Sequence, residues 1–158
     1  MNGLMMKKST DQNTEQYPNP WYYNGEIFTS EMIEDYQGFV YLLENAETGR
    51  KYIGKKFFVK PKVLPKTKKR PRRVRTKVES DWKNYYGSNE ELKEDIAGLS
   101  ESRRDVVVSR KILRLCKTKG ECAYYEIKEQ LAVDALLDPE YYNSFIGCKI
   151  HRRHLING

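Results

Sequence analysis

Residues 38–56 read GFVYLLENAETGRKYIGKK. Two runs rich in β-branched and aromatic residues, FVYLLEN and RKYIGKKFF, flank A-E-T-G, which is turn chemistry, and the pattern predicts a β-hairpin. Because side chains alternate across a strand, Phe39, Tyr41 and Leu43 share one face, and Val40 and Leu42 share the other. Tyr52 projects opposite to Lys51 and Ile53. Whether Tyr41 and Tyr52 point to the same side depends on register, which the sequence leaves open.

Directly after the hairpin comes KPKVLPKTKKRPRRVRTK, residues 60–77, holding 10 of the 29 Lys and Arg residues and no acid. Without it the chain has 19 basic and 22 acidic residues, so the net charge of +7 is a local device. Three prolines (Pro61, Pro65, Pro71) and a length beyond ordinary connections mark the segment as a functional loop. Such clusters point to a polyanion, in the first place nucleic acid.

At 158 residues the chain suits one domain. Residues 1–19 are polar and unpatterned, which predicts a flexible arm, and residues 20–155 form the expected single domain with 60–77 as its insertion. PNPWYYNGEIFTSEMIEDYQG, 18–38, predicts a short turn or hairpin whose Trp21, Tyr22 and Tyr23 pack against the body. Ser88 and Glu91 form a capping box ahead of a helix burying Leu92, Ile96 and Leu99, with Gly98 at its end. Residues 105–116, DVVVSRKILRLC, read as a third strand. A second capping box, Thr118 to Glu121, opens GECAYYEIKEQLAVDALL, where Ala123, Ile127, Leu131 and Ala135 predict a core stripe ended by Pro139. The expected fold is therefore α+β, a small three-stranded antiparallel sheet flanked by helices.

No run of about 18 apolar residues is long enough for a membrane span, and the N-terminal stretch has no apolar centre of a signal peptide, so a soluble intracellular protein is expected. Cys116, Cys122 and Cys148 lack C-x-x-C spacing, and the two histidines are His151 and His154. That excludes an ordinary structural zinc site and leaves buried reduced thiols as the default.

V40-Y41 and Y52-I53-G54, ten residues apart and followed by Lys55, resemble the signature of the GIY-YIG nuclease superfamily. The order of hairpin, helix, strand and helix fits too, with Glu126 in AYYEIKEQ at the position of the metal-binding glutamate and Asn143 in YYNSF at that of an asparagine. WYYNGEIFTSEM, KYIGKKFF and ESDWKNYYGSNEEL are most similar to the Seg-type homing endonucleases of T-even-type bacteriophages. Two departures stand out: FVY replaces GIY, and Asp81 stands where an arginine precedes the helix tyrosine by four residues, taking Tyr85 as that tyrosine with Tyr86 as its rival. Arg73, Arg75 and Lys83 are the candidates for the missing cation.

The resemblance implies a metal-dependent DNA endonuclease. Tyr41 would deprotonate or orient the attacking water, with Tyr52, Lys55 and Tyr85 beside it, and Glu126 would hold a divalent cation on the leaving-group side. Asn143 would complete the set. A phenol has a pKa of about 10, and the Lys55 ammonium is expected to lower it. Hard oxygen ligands favour Mg2+ or Mn2+ over zinc. Lys56, Lys66, Lys68, Lys69, Arg70, Arg72, Arg73, Arg75, Lys77 and Lys83 are the candidate contacts to double-stranded DNA, gripping the backbone without necessarily reading sequence. A phage homing role in the cytoplasm of the infected host follows from the same resemblance, although little chain follows the second long helix to form a separate DNA-reading domain. The rival readings are a catalytically impaired nucleic-acid-binding module with this fold and an RNA-binding structural protein. Target sequence and oligomeric state stay open.

Overall fold

The computed structural model describes residues 17–147. Along the chain run β1 (Tyr22–Tyr23), β2 (Glu26–Ile27), β3 (Gly38–Asn45), β4 (Arg50–Phe57), β5 (Val59–Leu64), β6 (Val74–Glu79), α1 (Glu90–Ala97), α2 (Glu101–Val107), β7 (Val108–Cys116) and α3 (Lys119–Ala132). Strands β3 and β4 are the expected hairpin, and β7 pairs antiparallel with the other side of β3. Next to β7 lies β1, in parallel, so the sheet order is β2-β1-β7-β3-β4. The expected three-stranded antiparallel sheet is thus one side of a five-stranded mixed sheet, with β4 at its edge. Its two extra strands are two residues each, too short for alternation to mark them, and they form the expected small hairpin around Asn24 and Gly25, both at positive φ as a tight hairpin turn requires.

Alternation along β3 divides the core as anticipated. On one face Phe39, Tyr41 and Leu43 join Trp21, Phe28, Phe58, Trp82 and Leu92; on the other Val40 and Ile53 meet Cys116 and Cys122 beneath α3. Trp21–Phe39, Phe39–Phe58 and Phe58–Trp82 pack with ring centroids 5.0, 4.9 and 5.4 Å apart. Each fully buried apolar side chain contributes about 1.5–3 kcal/mol. Cys116 and Cys122 are buried free thiols, as expected; Cys148, His151 and His154 lie outside the described residues.

Several boundaries differ from expectation. Residues 60–77 are no loop: β5 and β6 pair antiparallel from Val59↔Glu79 to Leu64↔Val74 as a two-stranded ribbon. The prolines and cations that argue against a strand sit at positions free of any neighbouring sheet, where strand propensity is weakly enforced. Residues 105–107 belong to α2, because the Ser100 side chain caps that helix by accepting from Arg103 N, and the strand begins only at Val108. Asn89, not Ser88, caps α1, accepting from Leu92 N. In α3 the Thr118 cap on Glu121 N is present, but the helix ends at Ala132 rather than at Pro139. Its buried residues are Cys122, Ile127 and Gln130, while Leu131 is exposed, so the expected stripe is turned.

Of the arm expected over 1–19, Tyr17, Pro18 and Asn19 are held in place. Arg110 on β7 is buried between the rings of Trp21 and Tyr86, 4.8 and 4.5 Å from its guanidinium carbon. It donates to the carbonyls of Pro18 (3.3 Å), Asn19 (2.9 Å) and Tyr85 (3.0 Å). Burial lowers its pKa to about 10.

Candidate active site

The register that pairs Leu43 with Tyr52 and Tyr41 with Gly54 answers the question left open by the sequence, because directly opposed residues share a face. Tyr41 and Tyr52 therefore point the same way, with ring centroids 6.1 Å apart, and Tyr85 meets Tyr41 edge-on at 5.9 Å. Gly54 makes this possible. A Cβ there would stand 2.5 Å from Tyr41 Oη, 2.8 Å from its Cζ and 2.9 Å from Tyr52 Cε1, distances no side chain tolerates. The glycine of Y-I-G is the gap through which the Tyr41 ring crosses β4.

Tyr41 is wholly buried, and its hydroxyl has no hydrogen bond of ordinary length and angle. Its pKa is raised well above the usual phenol range, first by burial and then by the neighbouring Tyr85 and Tyr52 phenols and the Glu126 carboxylate. Tyr52 is raised too, by burial above all, against a hydrogen bond with Ser88 Oγ at 3.1 Å that acts to lower it. The expectation that Lys55 depresses the phenol pKa is overturned. By alternation Lys55 lies on the opposite face of β4, opposite Val40, and its ammonium is bonded to Glu126 Oε1 at 3.0 Å.

Glu126 reaches the edge of β4 because Cys122, Glu126 and Gln130 stand at four-residue spacing on the inner face of α3. The Gln130 side chain donates to the Ile53 carbonyl at 3.0 Å, fixing helix to strand one turn from the carboxylate. The Glu126 side chain is 16% exposed. Tyr52, Lys55, Ser88, Glu126, Gln130 and Asn143 all line one cleft of about 170 Å³. Tyr41 lies behind its wall.

Asn143 has a different place from the one its position in the motif suggests. The chain at 140–142 runs along the outer edge of β4, with Lys51 N donating to Glu140 O and Tyr142 N to Lys51 O, both at 2.7 Å. Asn143 continues this ladder with its side chain, accepting from Ile53 N at 3.1 Å and donating to Ile53 O at 2.8 Å. Its amide imitates a peptide group and anchors the cleft wall. Tyr142 locks the same segment by donating to Asp95 Oδ2 at 2.7 Å, with the Arg50 guanidinium stacked 4.1 Å from its ring.

The three candidate cations have other placements. Arg75 lies in β6 and Arg73 just ahead of it, both on the ribbon, and Lys83 sits over the rings of Tyr17 and Trp82 at 5.8 and 5.6 Å. Lys56 is the cation at Tyr85, its Nζ 4.1 Å from the ring centroid and 2.7 Å from Asp81 Oδ1. That hydrogen bond holds the Asp81 carboxyl below its usual pKa. Asp81, the residue in the arginine's place, thus holds a lysine from β4 at the position beside the tyrosine. A second cleft of about 300 Å³ shares Lys55, Ser88 and Glu126 with the first and adds Lys56, Lys60 and Lys119. Ser88 and Lys119 carry no sequence signal of a site; Ser88 reads equally well as a helix cap, one residue off.

The whole pattern of hairpin, phenols, glycine gap and helix carboxylate lies in residues 21–146, and over that range the chain matches the family model described as "Putative endonuclease segE, GIY-YIG domain". The chain belongs to the SegE family of GIY-YIG domains. Neither a curated protein nor a solved structure matches it significantly. Membership supports the nuclease kind for this SegE-type domain.

Proposed function

We propose that the domain hydrolyses phosphodiester bonds of double-stranded DNA with the help of a divalent cation at Glu126. The observation that carries this reading is the convergence of Tyr52, Lys55 and Glu126 on one cleft, with the orphaned Tyr41 hydroxyl directly behind it. Among the described residues no group of three or more His, Cys, Asp or Glu side chains gathers. A lone carboxylate suits Mg2+ or Mn2+, which bind through one or two carboxylates and take water and substrate phosphate for the rest. It does not suit zinc, whose catalytic sites use three protein ligands. When bound, such a cation supplies electrostatic stabilisation of charge developing on the leaving oxygen.

The chain's own groups do the rest. With pKa values above the ordinary phenol range, Tyr41 and Tyr52 are neutral at pH 7 and do not act as phenolate bases; Tyr52, in the cleft wall, orients a water or a phosphate oxygen by hydrogen bonding, and Tyr41, buried behind it, backs the Tyr52 ring. Lys55 holds Glu126 in the free protein at 3.0 Å and is within reach of a phosphate in the same cleft. Lys56 brings a second positive charge one residue further along the strand. Asn143 and Gln130 position Ile53, and with it the residues on either side, without touching substrate. The resemblance to phage Seg enzymes makes a homing role in an infected host the favoured biological setting.

Supercoiled plasmid incubated with the full chain and Mg2+ or Mn2+ tests the reading. Metal-dependent nicking that chelator abolishes and Glu126→Ala reduces about a hundredfold or more is the expected result. Undiminished nicking by Glu126→Ala refutes the site; DNA binding without any cutting favours a binding module, and a preference for structured RNA favours the ribonucleoprotein reading.

A further inference from the structure

Beyond its root, where Val59, Lys60 and Pro61 line the second cleft, the β5–β6 ribbon takes no part in the site chemistry described above. Neither of its strands pairs with the five-stranded sheet. It is joined to the body at its root, where Ser80 N donates to Phe58 O (2.8 Å), Ser80 Oγ to Phe57 O (2.6 Å) and the Trp82 indole to Glu79 (2.8 Å). At the far end Thr67 and Arg70 exchange backbone hydrogen bonds of 2.8 and 3.1 Å, and Arg70 donates to Pro65 O at 2.8 Å. Lys68 and Lys69 therefore stand at the apex of an ordered turn.

Register assigns the two faces. Pro61 with Lys77 and Val63 with Arg75 share one; Lys62 with Thr76 and Leu64 with Val74 share the other. Each face carries cations beside apolar side chains that have no core to enter, Val63 being 53% and Val74 38% exposed. A device that only grips phosphates needs cations alone. Cations interleaved with Val, Leu and Thr suit a surface offering both acceptors and methyl groups, which is the floor of the DNA major groove. Dimensions agree. Two strands about 4.8 Å apart with their side chains fill a groove about 12 Å wide, whereas a minor groove of about 6 Å and the deep, narrow major groove of A-form RNA exclude them.

We propose that the β5–β6 ribbon enters the major groove of B-form DNA and, because its root continues β4, fixes the distance from that groove contact to the cleaved phosphate. From Lys56 to Leu64 is eight residues, at most about 26 Å at roughly 3.3 Å each, or about 8 base pairs at about 3.4 Å. The cut and the groove contact are then no further apart than that. The face that carries Val63, Arg75 and Lys77 turns to the base edges, while Lys66, Lys68, Lys69, Arg72 and Arg73 meet phosphates around them. This inference rests on the DNA-nuclease reading.

Its test is the affinity of the full chain, in chelator, for three probes. These are a duplex whose pyrimidines carry bulky 5-substituents filling the major groove, the same duplex saturated with netropsin in the minor groove, and A-form RNA of equal sequence. The filled major groove and the RNA should each weaken binding at least tenfold, and netropsin should change it less than twofold. A ribbon shortened by replacing residues 62–76 with Asn-Gly, checked for folding by circular dichroism, should lose the discrimination. Unchanged affinity for the filled major groove, or displacement by netropsin, overturns the proposal. Failure to bind any duplex overturns both it and the nuclease reading. Nicking of plasmid separates the two: a chain that nicks yet ignores the major groove refutes the ribbon alone, and one that discriminates grooves but never nicks refutes the nuclease reading and the fixed cutting distance.

Discussion

Tyr41 and Gly54 form a pair that neither residue explains alone. Because the Tyr41 hydroxyl is buried without a partner, Tyr41→Phe removes no hydrogen bond and relieves the desolvation of an unsatisfied group, so the melting temperature should hold or rise slightly. Nicking by Tyr41→Phe should fall much less than nicking by Tyr52→Phe, because the Tyr41 hydroxyl lies behind the cleft wall and Tyr52 lines it. Gly54→Ala is the opposite case, placing a methyl 2.5 Å from the hydroxyl and 2.8 Å from the ring, at a cost of about 1–3 kcal/mol. Adding Tyr41→Phe to it removes the closest atom, and a double-mutant cycle should show partial recovery of stability. Additive losses would mean that the hydroxyl and the glycine are not coupled. Lys56 and Asp81 give a second test at this scale. Asp81 is largely exposed and competes with phosphate for Lys56, so Asp81→Asn should tighten duplex binding a few-fold at low salt while Lys56→Ala weakens it. Equal losses from both would instead make the pair a single positioning unit.

Elements show what the sequence revealed and what it hid. The β3–β4 hairpin is legible because two runs of β-branched and aromatic residues flank A-E-T-G turn chemistry, and Glu126 is legible through the resemblance, which has a glutamate on the second long helix. The stripe of α3 is not, since one of its buried members is Gln130, a polar residue whose amide nitrogen donates to Ile53 O and that no hydrophobic pattern marks. The ribbon was hidden by its own lysines, arginines and prolines, although Val63, Val74, Thr76 and Val78 were available as a β signal. The place of Asn143 near the end of the motif marks it in the sequence, but its stand-in for a backbone peptide at the edge of β4 is not legible there, because it depends on a ladder between segments 90 residues apart. Asn143→Ala should leave Ile53 N–H without a partner and cost about 1–3 kcal/mol. Hydrogen exchange at Ile53 should accelerate more than at the opposing residue Leu42, and a uniform change across the sheet would contradict the edge-clamp role.

For the whole molecule, the tyrosines link fold to pH. Tyr17, Tyr41, Tyr52, Tyr86 and Tyr142 all have pKa values raised from about 10, with burial as the first cause in each. A phenol whose folded pKa exceeds its unfolded one binds more protons folded than unfolded in the interval between, so stability is intact below about pH 10 and falls as pH rises through the folded values. Arg110 pulls the other way in the same range, because its pKa is lowered to about 10. It is one group against five phenols, so the phenols decide the sign. Absorbance at 295 nm during an alkaline titration should therefore show a late class of tyrosines that ionises above the ordinary phenol range and rises together with loss of circular dichroism. Tyr41→Phe should remove one phenol from the later class only and shift alkaline unfolding to higher pH. A single smooth ionisation near pH 10 with the fold intact would show that the Tyr41 hydroxyl reaches water, and the closed wall between it and the cleft would then be wrong.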